Sequence, residues 1–336
     1  MESIIQLLPD HIANQIAAGE VIQRPASVVK ELVENALDAG ATKIDIAIKD
    51  AGRTLIQVVD NGSGMSENDA LMCFERHATS KLHDANDLFN LSTKGFRGEA
   101  LASISAIAHV EMDTKLSADD TGISIHIEGS QIIKNEATVC SDGTSFKIKN
   151  LFFNVPARRN FLKSDSVEFK HILSEFERLA IPHYDIEFSL MHNDKPVYVL
   201  PASNLKQRIT QFLSKGKGKN EGLVPVDELT DIVGLTGFVL KPEHATKSRT
   251  EQYFFVNNRY FKSHQFHHAV SKAFEGLLKP DTHPNYFLFL DVDPAKLDVN
   301  VHPTKTEIKF EEDRLIYTIL YSAIKNSLGK FNITPT

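Results

Sequence analysis

The sequence predicts an α+β protein with two domains, each built from a mixed, largely antiparallel sheet that is covered by helices. Helix-like and strand-like segments alternate along all 336 residues, and several strand-like segments are joined by short turns, as in antiparallel hairpins. A stretch without apolar residues divides this pattern into two halves, which is typical of a boundary between domains. The 42% hydrophobic composition is that of an ordinary globular protein.

The first half contains a helix followed by hairpins. We predict the helix from Pro25 to Ala39, because proline suits its first turn, Gly40 follows its end, and its apolar residues form one broad arc. The segments TKIDIAIK and LIQVVD alternate apolar and polar residues on either side of a turn, so they should pair as a hairpin. Further strands are expected at 123–128 and 144–149, a helix at 166–179, and a hairpin of 186–191 with 196–200.

The second half repeats this mixture after the Gly- and Lys-rich stretch SKGKGKNEG. Such a composition cannot bury apolar surface, so it predicts a flexible linker. We therefore expect a first domain over residues 1–212, a linker over 213–222 and a second domain over 223–336. In the second domain, strand-like runs lie at 231–240, 252–257 and 286–291, and helical runs lie at 264–278 and 311–328.

Composition argues against several classes of protein. The only two cysteines, Cys73 and Cys140, lie far apart, which argues against a disulfide framework or a zinc knuckle and favours a reducing compartment. No apolar run approaches the roughly 18 residues of a membrane span, and the N-terminus lacks the features of a signal peptide. We therefore expect a cytoplasmic protein without a membrane partner. The net charge of −7 does not indicate nucleic acid, although phosphate contacts require only one basic face.

A polar stripe lies beside the apolar arc of the first helix. Glu31, Asn35 and Asp38 follow one another at i, i+4 and i+7, so they share one face. A solvated helix face would explain them equally well. An asparagine amide oxygen can, however, ligate Mg²⁺ without adding negative charge beside phosphates. A glutamate one turn earlier can orient and deprotonate a water molecule.

Two glycine-containing segments have properties that suit a nucleotide. Asp60 ends a predicted strand and is followed by Gly62 and Gly64, so a planar base could approach the backbone and donate to the carboxylate, although a plain turn has the same pattern. The segment Gly95-Phe96-Arg97-Gly98 opens a helical run, where free N–H groups suit phosphate. Neither a P-loop nor a strand-linked GxGxxG occurs. Jointly, the stripe and the two segments predict a site for ATP with Mg²⁺.

These elements, together with Gly143 and Thr144, resemble the four boxes of the ATPases shared by gyrase B, the large heat-shock chaperone, histidine kinases and MutL. Longer motifs narrow the resemblance to the N-terminal ATPase region of MutL mismatch-repair proteins, from about Ile4 to Phe310. These motifs are NQIAAGEVIQRPASVVKELVENALDAGAT, FERHATSK, GFRGEALASISAIA, NVPARRNFL, FFVNNR and DVNVHPTKTEIKF. The resemblance implies a Bergerat-type ATPase domain followed by an α/β domain like the transducer domain of topoisomerases.

The resemblance assigns roles to residues of the first domain. It implies that Glu31 is the general base, that Asn35 binds Mg²⁺, and that Asp60 binds adenine with support from Thr144. It also implies a lid over the nucleotide from about residue 72 to 98. The lid residues expected at the nucleotide are Thr79, Ser80, Lys81, Gly95, Phe96, Arg97 and Gly98.

From the second domain, Lys305 of DVNVHPTK is expected to reach the γ-phosphate. A lysine in that position would hold the two domains together only while the γ-phosphate is present. Without the resemblance, an exposed lysine at a strand end would explain the residue.

The resemblance also implies partners. The N-terminal segment, roughly residues 1–20, is expected to order when ATP binds and to reach across a two-fold interface, which gives a homodimer. An amphipathic helix that packs on its own domain explains its apolar residues equally well. A mismatch-recognition protein of the MutS type and sequence-independent contacts with DNA are also implied, and the DNA contacts should weaken steeply with salt. The candidate DNA contacts are Arg158, Arg159, Lys215, Lys217, Lys219 and Arg259.

Three functions remain open at this point. The first is a slow ATPase that acts as a conformational switch, in which ATP closes a dimer and hydrolysis reopens it. The second is a non-catalytic module in which ATP occupancy alone is the signal, and the third is phosphotransfer to a histidine, for which no suitably flanked acceptor is evident. MutL chains continue into a C-terminal dimerisation domain, so we expect this sequence to be a fragment of a bacterial, nucleoid-associated protein.

Overall fold

Two separate sheets organise the chain, one in each of two units. The computed structural model describes residues 9–79, 98–213, 222–248, 251–298 and 308–331. The first unit comprises Met1–Ala180 with Asp185–Ala202, and the second comprises Ile181–Tyr184 with Ser203–Thr336. The division therefore precedes the boundary expected at residue 212, because the helix over residues 205–213 packs in the second unit.

The first unit contains six helices and an eight-stranded sheet among its described residues. The helices are α1 Asp10–Val21, α2 Pro25–Asp38, α3 Glu67–Met72, α4 Ala100–Ile107, α5 Pro156–Phe161 and α6 Asp165–Ala180. The strands are β1 Lys43–Lys49, β2 Leu55–Asp60, β3 His109–Lys115, β4 Gly122–Glu128, β5 Gln131–Thr138, β6 Gly143–Lys149, β7 Glu187–His192 and β8 Lys195–Leu200. Their order in the sheet is β5-β4-β3-β6-β2-β1-β7-β8. All neighbours are antiparallel except β1 and β7, which confirms the predicted mixed sheet.

Helix α2 contributes one face to the core of the first unit. Val28, Val29 and Leu32 are almost completely buried, and each such side chain contributes about 1.5–3 kcal/mol on burial. The helix begins with Pro25 in its first turn. It ends at Asp38, and two residues later the N–H of Gly40 donates to the Leu37 carbonyl while the N–H of Ala41 donates to the Ala36 carbonyl. This pair of bonds is a Schellman motif, which a glycine with positive φ favours.

The second unit is built around a five-stranded sheet with helices on both faces. Its helices are α7 Leu205–Leu213, α8 His264–Ala273 and α9 Asp313–Lys330. Its strands are β9 Leu223–Leu229, β10 Gly234–Leu240, β11 Gln252–Val256, β12 Arg259–Phe261 and β13 Tyr286–Asp291, in the order β12-β11-β13-β10-β9. A small separate sheet pairs β14 Leu297–Asp298 with β15 Lys309–Phe310. One core lies between the main sheet and α8 with α9, and the other includes α7.

The fully buried side chain of Arg208 on α7 joins the two segments of the second unit. Its guanidinium donates to the carbonyls of His183 and Tyr184 at 3.2 Å each. Two further observations place these segments together, since Ser203 donates to the Tyr184 carbonyl and Ile181 packs with Ile209. The short excursion over 181–184 is therefore part of the core of the second unit.

The predicted elements agree with the structure in type, but several elements were not predicted, among them the strands β3, β5, β9 and β12 and the helices α3, α5 and α7. The strand run expected at 231–240 contains β10, which forms a hairpin with β9. Strand β9 was not predicted, because its last three residues are exposed and two of them are charged. Strand β5 also escaped prediction, because it lies at the edge of the sheet and seven of its eight residues are exposed, so no alternation marks it. Among the residues that the structure describes, no helix has both the length and the apolar character that crossing a membrane requires.

Candidate functional site

The candidate site lies where three neighbouring strands of the first unit change from apolar to polar on their buried face. Along β2, Ile56 and Val58 are buried and the next residue on that face is Asp60. The same change occurs at Thr144 on β6 and at Thr114 on β3. Asp60 is paired in register with Thr144, which is paired with Thr114. Directly opposed residues share a face of a sheet, so the three polar side chains form one row beside the core.

Asp60 is a nearly buried carboxyl, with 8% of its surface exposed. Its Oδ1 accepts a hydrogen bond of 2.8 Å from the N–H of Gly62. Burial raises the pKa of Asp60 above its ordinary value, and the backbone N–H donors of Gly62 and Thr144 oppose this shift. The carboxyl is thus held as a hydrogen-bond acceptor in a position where water is largely excluded.

The glycines after Asp60 allow the chain to pass through very little space. A Cβ atom on Gly62 would lie 2.9 Å from Oδ1 of Asp60, and one on Gly64 would lie 2.0 Å from the Lys115 carbonyl oxygen. The second contact is with backbone and could not be relieved by a side-chain movement. Both predicted glycines are therefore required for the loop to lie against β2 and β3, where it borders the polar row.

Thr114 also belongs to the polar row, although it was not predicted as a site residue from the sequence. Its side chain is fully buried, and its hydroxyl lies 3.0 Å from the Gly143 carbonyl, 3.0 Å from the Thr144 hydroxyl and 3.1 Å from the Met65 N–H. Thr114 thus ties the loop after Asp60 to β6. The available signal was the alternation of HVEMDTK, whose inward positions are apolar until the last one.

The loop over residues 61–64 is fixed against the end of α2. The Ser63 N–H donates to the Ala39 carbonyl at 2.9 Å, and Oδ1 of Asn61 accepts from the N–H groups of Thr42 and Lys43 at 2.9 and 2.8 Å. Asn61 is therefore a structural residue. Asn35 lies one turn before Ala39 on the same helix, so the loop and the predicted metal ligand occur at the same end of α2.

Glu31 and Asn35 are both half-buried, beside the apolar arc of α2 rather than within it. This position agrees with the polar stripe expected from their spacing. The buried neighbours Leu32 and Val33 anchor the helix, so the two polar side chains are carried on a rigid element.

Part of the predicted lid lies within the described residues. The described lid residues are 72–79 and Gly98. The His77 N–H donates to the Gly98 carbonyl at 3.1 Å, which joins these two parts of the predicted lid. Helix α4 begins directly afterwards at Ala100. The remaining predicted lid and linker residues and the second-domain lysine lie outside the described residues; they are Ser80, Lys81, Gly95, Phe96, Arg97, Lys215, Lys217, Lys219 and Lys305.

The residues present fit a magnesium ion that is bound together with phosphates. The described part of the chain contains no group of three or more His, Cys, Asp or Glu side chains that could hold a metal ion. Mg²⁺ commonly takes only one or two protein ligands and completes its shell with substrate phosphates and water. A single amide at Asn35, close to the glycine-lined loop, suits this mode of binding.

The two adjacent arginines of α5 have different surroundings. The Arg158 guanidinium donates to the carbonyl of Ile22 at 3.0 Å, and Ile22 caps the C-terminal end of α1. A Cβ atom on Gly19 would lie 2.2 Å from this guanidinium. Arg158 therefore fastens α1, whereas Arg159 is exposed. Arg259, the third described candidate for DNA contact, is half-buried at the start of β12 in the second unit.

Comparison with family models gives a match in each half. Residues 23–156 match the family described as histidine kinase-, DNA gyrase B-, and HSP90-like ATPase. Residues 214–329 match the family described as DNA mismatch repair protein, C-terminal domain. The first match includes α2, the polar row and the loop after Asp60.

Two curated relatives illustrate the similarity along the whole chain. The DNA mismatch repair protein MutL of Christiangramia forsetii is 60% identical over 335 residues, which cover 100% of this chain and 54% of the relative. MutL of Bacteroides fragilis is 55% identical over 336 residues, which cover 100% of this chain and 53% of the relative. The chain thus spans about half the length of the curated relatives it matches.

Solved structures share the fold. The N-terminal domain of a DNA repair protein matches with a TM-score of 0.81 and 24% identity, covering 96% of this chain and 99% of that chain. The Aquifex aeolicus MutL ATPase domain complexed with ADP matches with a TM-score of 0.63 and 24% identity, covering 89% and 98%. At these identities the likeness concerns the fold.

Replacing Arg158 should destabilise the protein, and replacing Arg159 should not. Arg158→Ala removes a charged donor from the end of α1, and we expect a loss of about 1.5–3 kcal/mol in the free energy of unfolding. Arg159→Ala is the matched control and should change it by less than about 0.5 kcal/mol. Urea denaturation followed by circular dichroism measures both, and equal losses in the two variants would contradict the assignment.

The raised pKa of Asp60 predicts a pH-dependent effect of Asp60→Asn on the unliganded protein. In the folded state the carboxyl resists ionisation, so its contribution to stability is present in acid and is lost as the pH rises through its folded-state pKa. The asparagine does not titrate. The melting temperature of the variant relative to wild type should therefore increase from pH 4 to pH 7, as measured by differential scanning calorimetry.

The exposed carboxyl Asp119 supplies the control for this experiment. Asp119→Asn makes the same chemical change at an exposed position, and its melting temperature is the reference for the comparison. A difference between Asp60→Asn and wild type that stays constant or shrinks towards pH 7 would show that burial does not penalise the Asp60 carboxylate.

Proposed function

Because the chain belongs to the MutL family of DNA mismatch repair proteins and contains their ATPase region, we propose that it binds ATP with Mg²⁺ and hydrolyses it slowly. ATP binding would close a dimer and hydrolysis would reopen it, which couples mismatch recognition to later steps of repair. The observation that carries this proposal is the polar row of Asp60, Thr144 and Thr114. The loop after Asp60 contacts the C-terminal end of α2, the helix on which the predicted base and metal ligand lie.

The adenine is proposed to bind at the polar row. Asp60 presents a carboxylate with one oxygen already accepting from the chain, so its remaining lone pairs can accept from the exocyclic amine of adenine. Gly62 and Gly64 keep the loop close beside the row, because a side chain at either position would collide with Ala39, Asp60 or Lys115 and push the loop away. The phosphates would then extend towards the segment before α4, where helical N–H groups are free to donate.

The hydrolytic step needs a base and a positioned water molecule. We assign the base to Glu31, whose carboxylate accepts a proton from water as the water oxygen attacks the γ-phosphorus. The bond from the γ-phosphorus to the bridging oxygen breaks, and its electron pair leaves with ADP, so the products are ADP and phosphate. Lys305 is assigned to the γ-phosphate, where a positive charge stabilises charge that develops in the transition state.

Asn35 is the residue proposed to hold the metal ion. Mg²⁺, when bound, neutralises charge on the phosphate oxygens and orients them for in-line attack. Asn35 contributes a neutral amide oxygen, so it does not repel the triphosphate. Its position one turn from Glu31 on α2 allows the ligand and the base to face the same phosphate group.

Partners are proposed from the family. The relatives are DNA mismatch repair proteins, and one structural neighbour is a MutL ATPase domain complexed with ADP. We propose that ATP-driven homodimerisation, a MutS-type partner and non-specific DNA belong to the function of this chain, in the bacterial cytoplasm at the nucleoid. Arg159 is the preferred DNA contact on α5, because Arg158 is engaged with α1.

A binding-only switch is the alternative function. It would use the same row, loop and metal ligand, and it would differ only in the absence of turnover. Glu31 distinguishes the two functions, because a general base is required for hydrolysis and not for occupancy.

Replacing Glu31 should separate binding from hydrolysis. Glu31→Ala and Glu31→Gln should retain ATP binding in the presence of Mg²⁺ and should lose phosphate release by about a hundredfold or more. Retained binding, measured by calorimetry, shows that the site is intact. If wild-type protein releases no more phosphate than these variants, the slow ATPase is excluded and the binding-only switch stands.

Nucleotide binding should also control the oligomeric state of the protein. With a non-hydrolysable ATP analogue and Mg²⁺, light scattering should give a dimer at high protein concentration, and without nucleotide it should give a monomer. Lys305→Ala should bind the analogue and dimerise less, because the γ-phosphate contact is lost. A mass that stays monomeric with saturating analogue would count against dimer closure and leave nucleotide binding intact.

A further inference from the structure

We propose that Thr114 is a positioning residue that turns the Thr144 hydroxyl into a pure hydrogen-bond acceptor, so that the site selects 6-aminopurine over 6-oxopurine nucleotides. The inference rests on the proposed function, since it assumes that the base lies at Asp60 and Thr144. It goes beyond the proposed function in two respects. It gives a role to Thr114, which does not contact the nucleotide, and it states the direction in which the Thr144 hydroxyl proton points.

The direction of the Thr144 hydroxyl proton follows from the contacts of the Thr114 hydroxyl. A threonine hydroxyl has one proton and two lone pairs. The Gly143 carbonyl at 3.0 Å can only accept, so the single proton of Thr114 is directed to it. The Met65 N–H at 3.1 Å can only donate. The remaining lone pair therefore receives the proton of Thr144, whose oxygen lies 3.0 Å away.

Burial fixes this arrangement. Thr114 is 0% exposed and Thr144 is 7% exposed, so solvent water does not compete for the Thr114 hydroxyl. With one donated and two accepted bonds, that hydroxyl has reached its full capacity. If Thr144 directed its proton to the base instead, the buried Thr114 hydroxyl would lose one of its two accepted hydrogen bonds. If Thr114 donated to Thr144, it would lose its bond to the Gly143 carbonyl. Either loss is costly in a buried position.

The consequence is that the polar row, as far as the described residues show it, offers acceptors to the base and no hydroxyl donor from Thr144. The carboxylate of Asp60 cannot by itself reject a 6-oxopurine, because the N1–H of such a base can donate to a carboxylate. Thr144 supplies the missing discrimination. Its lone pairs can accept from a 6-amino group, and they would meet the lone pairs of a 6-oxo group without any proton between them.

Thr114→Val tests the proposal, with Thr114→Ser as its matched control. Valine keeps the shape of threonine and removes the hydroxyl, so the Thr144 proton becomes free to donate to a 6-oxo group. Affinities for ATP and inosine triphosphate, which differ at position 6 of the purine, are measured by calorimetry with Mg²⁺. The preference for ATP should fall by about three- to tenfold in Thr114→Val and should be kept in Thr114→Ser.

Thr144→Val provides a second route if Thr114→Val does not fold. It removes the proposed acceptor directly, and the preference for ATP should fall by a similar factor. A preference that is unchanged in either folded variant, or an equal loss of affinity for both nucleotides, overturns the positioning role. Wild-type protein that binds neither nucleotide would instead overturn the proposed function.

Discussion

The burial of the Asp60 carboxyl beside a hydrophobic core is the constraint on which the site depends. A carboxylate in such a place is costly unless it receives hydrogen bonds, and here backbone N–H groups of Gly62 and Thr144 supply them. That requirement fixes the path of the chain after β2 and the register of β2 with β6. The loop then contacts the end of α2 through Ser63. The position of the Asp60 carboxyl is therefore linked to the positions of β6, the loop after β2 and the end of α2.

Helix α2 combines structural and chemical roles that would conflict on a mobile element. Its apolar arc fills the core of the first unit, and its polar stripe carries Glu31 and Asn35. The orientation of the stripe is therefore set by burial of residues such as Val29 and Leu32. A change in core packing under α2 would move the proposed base and the proposed metal ligand together, and the proposed activity would fall before the protein unfolded.

The sequence predicted those features that depend on local patterns. The apolar arc of α2 and the alternation in β1 and β2 determine their elements directly, and the glycines after Asp60 were recognisable because glycine allows a close approach of the backbone. Thr114 was missed because a single inward threonine at a strand end has no local signature; its meaning comes from Thr144 and Gly143 on another strand. The structural role of Arg158 was not predicted because its carbonyl partner, Ile22, is distant in sequence. The domain boundary was placed too late because flexibility in composition does not reveal where α7 packs.

The chain passes between its two units three times, because residues 181–184 belong to the second unit and residues 185–202 return to the first. The returning segment contains β7, which pairs with β1 in the sheet that also holds Asp60. A single cut therefore cannot release an intact first unit. A polypeptide ending at residue 180 lacks two strands, and one ending at residue 202 keeps four residues whose packing partners have been removed. The two units are therefore interleaved along the chain, and neither can be obtained intact as one continuous segment.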